Sequence, residues 1–237
     1  MPTPRQRAHE QTLDDILRLG REQLASVGAA SLSLRSVARD LGVVSSAVYR
    51  YVKSRDDLLT LLVVDAYDEI GDRVDAAIVR RRAGDHAGRL RAAGHAVRDW
   101  ALAEPARYAL IFGSPVPDYR APADRTTEPG TRVVVALARL VAAAWVDGTV
   151  ADGGQATKVP RKLSADFTRI RDEIGVDLPD GVLARAMLAW TALFGSVSFE
   201  VFGQYGPDTL TEPRQLFDHH LDRLVELTGL GSPRLGR

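Results

Sequence analysis

The sequence contains no cysteine, which excludes disulfide bonds and thiolate-ligated metal sites. Metal binding through histidine has no better support. The five histidines lack the spacing of metal ligands, and the adjacent His219 and His220 point to different faces of a helix. We therefore expect neither a metal ion nor a cofactor.

Signatures of common catalytic sites are also missing. The segment Gly195-Ser196-Val197-Ser198 lacks the second glycine of a nucleophile elbow. No phosphate-binding loop surrounds any of the three lysines, and His9-Glu10 begins a zinc-protease motif that ends in Leu13 instead of histidine. An enzyme is not predicted, and an all-helical enzyme remains an alternative that no motif supports.

Long apolar runs are absent too. The longest, residues 133–146, has 14 residues and contains Arg139. A bilayer requires about 20 apolar residues, so this segment predicts a buried helix. The first ten residues are polar and lack the apolar core of a signal peptide, so we expect a cytoplasmic protein.

Charge is balanced over the 237 residues but is not evenly distributed. Residues 1–55 contain nine Lys or Arg residues and five acidic residues, a net charge of +4, and the remainder carries the opposite charge. A basic end on an acidic body suggests that this end meets a polyanion. Many solvated surfaces have the same imbalance, so the charge alone decides nothing.

Helical periodicity runs through the whole chain, and no useful strand alternation appears, which predicts an all-α fold. The predicted helices cover approximately residues 13–27, 33–41, 45–52, 54–78, 85–104, 105–112, 130–147, 164–174, 179–205 and 212–228. Four prolines in residues 114–129 predict a loop. We place an N-terminal domain at 1–54 and a larger helical domain for ligand binding and dimerisation at 55–237.

The short helices of the N-terminal domain, with a tight turn at Gly42, are typical of a helix-turn-helix. A small core fixes the third helix against the second: Val37, Ala38, Leu41, Val43 and Val48. The face left free carries Ser45, Ser46, Ala47, Tyr49, Arg50 and Tyr51. Small residues allow close approach to a DNA groove, and hydroxyl and guanidinium groups supply donors. Simple packing of amphipathic helices would produce the same pattern.

Two further features suit a polyanion. Lys53 and the amides near Ser54 open the next helix, which is a natural phosphate site. Arg5 and Arg7 are expected to form a flexible arm that follows the DNA backbone or enters a minor groove.

Residues 33–59 resemble the signature of the tetracycline-repressor (TetR) family. The signature begins with a hydroxyl residue and an apolar-Ala pair, which are here Ser33 and Val37-Ala38. A Gly-Val turn and a tyrosine follow, here Gly42-Val43 and Tyr49. It ends with a basic residue before Leu-Leu, here Arg55 before Leu58-Leu59. Three positions depart from the signature. Val44 replaces a capping serine, Tyr51 replaces histidine and Val52 replaces phenylalanine. Ser45 is a candidate to cap the helix one residue later.

The resemblance implies that the third helix lies in the major groove of operator DNA. It implies base contacts from Ser45, Ser46, Ala47 and Arg50. It also implies phosphate contacts from Ser33, Tyr49, Tyr51 and Lys53.

The body after residue 54 resembles the variable ligand domain of that family. One subgroup has Trp-x-x-x-His-Gly in a late helix, and this chain has Trp190 and Gly195 with Phe194 in place of the histidine. Aromatic residues on helices belong more often to a core than to a pocket. Our candidates for contact with an apolar or aromatic effector are Trp100, Tyr108, Trp145 and Phe194.

The last two long helices have broad apolar faces, and a helix that is apolar over a wide arc needs two partners. The residues Leu216, Phe217, Leu221, Leu224, Val225 and Leu227 span more than one stripe. A self-contained core would account for them, but the family resemblance favours a homodimer. The predicted function is a ligand-released repressor of a palindromic operator. A DNA-binding architectural protein without a ligand is the alternative.

Overall fold

The computed structural model describes residues 3–150 and 159–231. In these ranges it contains ten α-helices and no strand, so the predicted all-α class is confirmed. The helices are α1 Pro4–Val27, α2 Leu34–Asp40, α3 Ser45–Val48, α4 Arg55–Val79, α5 His86–Ala103, α6 Pro105–Phe112, α7 Ala123–Val146, α8 Arg161–Ile174, α9 Asp180–Val201 and α10 Pro213–Thr228.

The chain divides into two compact units. The N-terminal unit comprises Met1–Glu69 and Ala103–Gly130, and the C-terminal unit comprises Ile70–Leu102 and Thr131–Arg237. The N-terminal unit therefore extends beyond the predicted domain 1–54, because the first part of α4 and the α6 region belong to it. The functional boundary after residue 54 stays a prediction.

Helix α1 begins earlier than its apolar stripe indicates. The Thr3 side chain accepts a hydrogen bond from the Gln6 amide at 3.2 Å, and the Gln6 side chain accepts one from the Thr3 amide at 2.7 Å. This capping box, with Pro4 in the first turn, satisfies amide groups that a frayed end would leave to water. Arg5 and Arg7 consequently lie on a helix, and the expectation of a flexible arm there is wrong.

A buried core holds the helix-turn-helix together. It consists of Ile16, Leu19, Leu24, Leu32, Leu34, Val37, Ala38, Val48, Val52, Leu58, Leu59 and Leu62. Gly20 lets α1 approach α4 closely, since a Cβ atom there would lie 3.3 Å from Leu62 and 3.4 Å from Leu58. The start of α4 therefore belongs to the same core as α1, α2 and α3.

The loop predicted over residues 114–129 is wrong in its last seven residues, because α7 begins at Ala123 and contains Pro129. A proline removes one backbone hydrogen bond from a helix, and its ring crowds the carbonyl group four residues earlier. Other contacts hold this segment: Thr126 donates its amide at 3.1 Å and its hydroxyl at 2.8 Å to the Pro122 carbonyl. Arg125 also forms an ion pair with Asp57 at 2.7 Å. These contacts outweigh the helix-breaking preference.

The C-terminal unit is a helical assembly in which α9 packs along α10. Its core includes Val97, Trp100, Leu193, Val197 and Leu221, all with 1% or less of their surface exposed. Helix α9 ends at Val201, short of the predicted residue 205. The reason is Gly203, whose φ of 66° is left-handed and stops the helix.

Helices α7 and α9 are long and apolar enough to cross a bilayer by length and composition alone. The core helices of a folded protein pass the same test. Six residues of α7 are buried, namely Val133, Leu137, Ala138, Leu140, Val141 and Ala144. The helix predicted for residues 133–146 is therefore present but only partly buried, and Val146 at its end is 77% exposed.

Candidate DNA-binding surface and apolar cavity

The turn between α2 and α3 is held by its own backbone. Gly42 has a φ of 73°, and its amide donates to the Arg39 carbonyl at 3.0 Å. The Val43 amide donates to the Ala38 carbonyl, also at 3.0 Å. Only glycine adopts this left-handed conformation without strain, so Gly42 fixes the direction in which α3 leaves the turn.

Helix α3 is shorter than predicted. Its α-helical part ends at Val48, and the chain continues to residue 52 in a tightened turn, with the Tyr51 amide bonded to the Val48 carbonyl at 2.9 Å. Val44 occupies the cap position and gives no side-chain hydrogen bond, and Ser45 is already helical. The expected compensation by a Ser45 cap is therefore not observed. Val48 and Val52, both buried, fasten the segment to the core instead.

The predicted base-reading residues differ in their exposure. Ser46 and Arg50 are exposed, and Ser45 and Ala47 are half-buried. Arg50 has no acidic partner among the described residues, so its guanidinium is available to a ligand outside the chain. The exposed segment is short and rigidly seated, which suits insertion into a groove.

The predicted phosphate-contacting residues are more varied. Tyr49 is 45% exposed, and Lys53 is exposed. Ser33 is half-buried and precedes α2 without capping it through its side chain. Tyr51 is half-buried and stacks on His9 of α1, with ring centroids 4.7 Å apart. The site roles of all these residues stay predictions.

The start of α4 differs from the expected open phosphate site. The Lys53 amide donates to the Asp57 carboxylate at 3.0 Å, and the Asp57 amide donates to the Ser54 hydroxyl at 3.1 Å. Burial raises the pKa of Asp57, but hydrogen bonds from Arg125 and the Lys53 amide outweigh it, and the net pKa lies below the ordinary value. Two amides that we expected to bind phosphate are thus engaged within the chain.

Arg55 has a structural role that the sequence pattern did not indicate, since it was identified only as a basic residue. Its guanidinium donates to the carbonyl oxygens of Ala29 at 2.9 Å and Ala30 at 3.2 Å. These carbonyls belong to the short turn that follows α1. Arg55 therefore joins the beginning of α4 to that turn, which steadies the frame around α2 and α3.

The C-terminal unit contains an apolar cavity of about 220 Å³ between α7, α8 and α9. Most of its wall is aliphatic or aromatic, including Val134, Ala138, Ile170, Leu183, Met187 and Trp190. Thr131 and Glu173 are the polar residues of the wall. The cavity is partly open to solvent, and its wall residue Glu173 is exposed. A concave apolar site with a few polar groups is the usual form of a small-molecule site.

The four residues proposed from the sequence for effector contact do not line this cavity. Trp100 and Tyr108 are fully buried, and Trp145 and Phe194 are half-buried. The ring of Phe194 packs edge-on against the wall residue Trp190, with ring centroids 6.4 Å apart. A ligand role for the four stays a prediction. Trp190, the tryptophan of the subgroup motif, lines the cavity and was not among the predicted contacts.

Two family profiles match the chain. The profile described as bacterial regulatory proteins of the tetR family covers residues 16–62, and the one described as tetracyclin repressor-like, C-terminal domain covers residues 90–224. The chain belongs to the tetR family. It is a DNA-binding transcriptional regulator and not an enzyme, which confirms the resemblance drawn from residues 33–59.

Relatives of this tetR-family chain include two mycobacterial proteins. The HTH-type transcriptional regulators Rv1816 of Mycobacterium tuberculosis and Mb1846 of Mycobacterium bovis are each 48% identical to it over 221 residues. The matched part is 93% of this chain and 94% of each relative. The similarity therefore extends over both the N-terminal and the C-terminal units.

Solved structures agree with the family assignment. The regulatory protein SCO4313 has a TM-score of 0.76 and 33% identity, over 94% of this chain and all of that one. RolR, solved with the ligand resorcinol, has a TM-score of 0.52 and 14% identity, over 98% of each chain. At that identity RolR shows only a shared fold.

Proposed function

We propose that this tetR-family regulator is a cytoplasmic repressor that binds a palindromic operator as a homodimer and leaves it when a small molecule binds. The observation that carries the DNA half of the proposal is the exposed face of the α3 segment. It presents Ser46 and Arg50 toward solvent on a rigid core. Ser45 and Ala47 lie beside them and complete the group proposed to face bases.

Phosphate contacts are proposed for Ser33, Tyr49, Tyr51 and Lys53, which flank that face. Contacts to phosphates fix register and orientation, and contacts to bases give sequence preference. Losing Arg50 should therefore reduce discrimination between operator and scrambled DNA. Losing a phosphate contact should weaken binding to both.

The first test measures DNA affinity by fluorescence anisotropy over a salt series, with the DNA immediately upstream of the gene. It compares wild type with the double variant Tyr49→Phe, Arg50→Ala. We expect wild type to prefer that DNA to scrambled DNA and to bind more weakly as salt rises. The double variant should lose about tenfold to a hundredfold in operator affinity, because a good guanidinium–base contact contributes about 1–3 kcal/mol.

A matched control is Arg18→Ala, since Arg18 lies on α1 and is paired with Glu22 at 2.9 Å. It should bind the operator as wild type does. Equal affinity of wild type for every DNA tested, unchanged in the double variant, would contradict the proposed reading face.

The dimer is proposed from the outer face of α9. Leu188 and Phe199 are 54% and 48% exposed, and Phe202, directly after the helix, is 40% exposed. A contiguous set of exposed large apolar residues commonly marks an interaction surface. Gly195 lies between them on the same side and has nothing within 4 Å of where its Cβ would be. A small residue in an apolar stripe lets a second helix approach closely, as a two-fold interface requires.

Gly195→Glu should convert the dimer into a monomer without unfolding it. The single chain has room for the new side chain, whereas a dimer interface would bury its charge. Light scattering after gel filtration should change from twice the chain mass to the chain mass of 25.8 kDa. Ala76→Glu, on an exposed position of α4, is the control and should stay dimeric. A dimeric Gly195→Glu protein would rule out this face.

The ligand half of the proposal rests on the cavity between α7, α8 and α9. An architectural protein has no need of such a cavity, so the cavity favours the ligand-responsive alternative. RolR was solved with resorcinol, a single-ring molecule, and an apolar or aromatic effector of that size suits a volume of 220 Å³. The effector shifts the equilibrium between DNA-competent and DNA-incompetent dimers only by its differential affinity for them. We call residues 45–52 the reading segment, and helix α4 starts shortly after it. Helix α4 is proposed to transmit the effect of ligand binding to that segment.

A further inference from the structure

The wall of the apolar cavity carries one charged residue, the exposed Glu173 near the end of α8. The basic residues closest to it in sequence are engaged elsewhere. Arg169 pairs with Asp166, and Arg171 donates to Asp180 at 2.6 Å and to the Leu178 carbonyl at 3.0 Å. Glu173 has no hydrogen-bond or ion-pair partner within residues 3–150 and 159–231.

The remaining wall gives a bound molecule little to hydrogen-bond with. Ile170, Leu183, Met187 and Trp190 offer apolar surface, and Thr131 is the other polar lining residue. A neutral polar molecule would lose hydrogen bonds to water on entering such a site. An anion would also face the charge of Glu173. An apolar body with a cationic end keeps its charge beside the carboxylate and buries its hydrocarbon against the wall.

The volume of the cavity limits the size of the apolar part of the ligand. An apolar cavity of about 150 Å³ holds benzene, so the volume of about 220 Å³ takes one ring with a short chain. The indole ring of Trp190 adds a face that attracts cations. We propose that this cavity binds a small apolar amine, with its ammonium group paired to Glu173 and its ring against α7 and α9. The inference deepens the proposed ligand response and rests on it only for the release of DNA.

Three probes with one hydrocarbon frame test the charge preference: 4-phenylbutan-1-amine, 4-phenylbutan-1-ol and 4-phenylbutanoate. Isothermal titration calorimetry of the full chain without DNA, at pH 7.5 and low salt, measures each affinity. We expect the amine to bind about fivefold more tightly than the alcohol, the size of an exposed ion pair. The carboxylate should bind most weakly. The preference for the amine should shrink in high salt.

Glu173→Gln should abolish the preference of the amine over the alcohol while the alcohol binds as before. Asp172→Asn is the matched control, because Asp172 is an exposed carboxylate on the same helix that does not line the cavity. It should keep the preference. Ala186→Phe fills the cavity and should weaken all three probes. Equal affinities of amine and alcohol in wild type, or a preference that survives Glu173→Gln, would overturn the proposal.

DNA release is measured separately by adding the amine to the operator complex. Release in wild type and its loss in Ala186→Phe support both proposals. Amine binding without release leaves the assignment of the cavity intact and overturns the proposed ligand response through it. Absence of amine binding by a chain that still binds its operator overturns the amine inference alone.

Discussion

Replacing Glu200 by alanine will lower the free energy of unfolding of the C-terminal unit by about 3–5 kcal/mol. Glu200 on α9 pairs with Arg98 on α5 through two hydrogen bonds, one of them from Nε to Oε2 at 2.7 Å. The two side chains are only 13% and 9% exposed. The hydrogen bond to Glu200 raises the pKa of Arg98 above its ordinary value. Arginine is protonated at neutral pH even without such a partner, so the guanidinium stays charged in the variant.

The cost arises because a buried charge is left without its counter-charge. Asp99 lies 3.6 Å from the Arg98 guanidinium but is itself 54% exposed, and Phe217 offers only the face of its ring at 5.5 Å. Neither replaces two hydrogen bonds to a carboxylate. The double variant Arg98→Met, Glu200→Leu should return close to wild-type stability, because apolar residues of similar volume commonly replace a buried pair without loss.

Urea unfolding followed by far-UV circular dichroism, at one fixed protein concentration, measures this effect. Glu226→Ala is the control, since Glu226 pairs with Arg223 on the same helix and both are more than half exposed. That pair should contribute under about 1 kcal/mol. If Glu200→Ala costs no more than Glu226→Ala, the buried pair does not hold α5 to α9.

Arg107→Met will destabilise the N-terminal unit by about 3 kcal/mol. Arg107 on α6 is 3% exposed and contacts two acidic residues of α4. It donates to the Asp65 carboxylate at 2.7 Å and also pairs with Glu69. Arg21 of α1 approaches the same Asp65 at 2.7 Å. The loss is at the low end for buried pairs because Arg21 still neutralises Asp65 in the variant.

Arg21→Met supplies the control for this variant. It removes a contact to the same carboxylate, but its side chain is 39% exposed, so its loss should cost under about 1 kcal/mol. Thermal unfolding of both variants and of wild type gives the comparison. Operator affinity measured below the unfolding transition should fall further for Arg107→Met, since α1 and α4 frame the reading segment. Equal thermal unfolding midpoints for the two variants would show that the buried Arg107 stabilises the unit no more than the exposed Arg21 does.

Local sequence patterns were sufficient for the helix-turn-helix. Val37, Ala38, Gly42 and Val48 are within twelve positions of one another, and both the turn and the small core follow from that spacing. The early start of α1 also had a local signal, because Thr3 and Gln6 have capping-box spacing with Pro4 between them. The prediction of a flexible arm at Arg5 and Arg7 did not take this capping box into account.

Side-chain partners account for two further errors, one through a distant contact and one through contacts within four positions. Pro129 favours a loop because proline disrupts helices. Helix α7 nevertheless includes it, because Arg125 pairs with Asp57, 68 positions away in the sequence. The amides near Ser54 read as an open phosphate site until Asp57 and Ser54 are seen to accept their hydrogen bonds. In each case a side-chain partner changed what the backbone pattern alone implied.

The sequence by itself determined the helical class, the position of the helix-turn-helix and the family, because these depend on residues a few positions apart. Only the tertiary structure decided which charges are buried in pairs and where the cavity lies. Arg98 and Glu200 are 102 positions apart, and the cavity wall comes from three helices between Thr131 and Trp190. Such contacts depend on how helices pack, which is set by the shapes of many side chains together and leaves no periodic trace in the sequence.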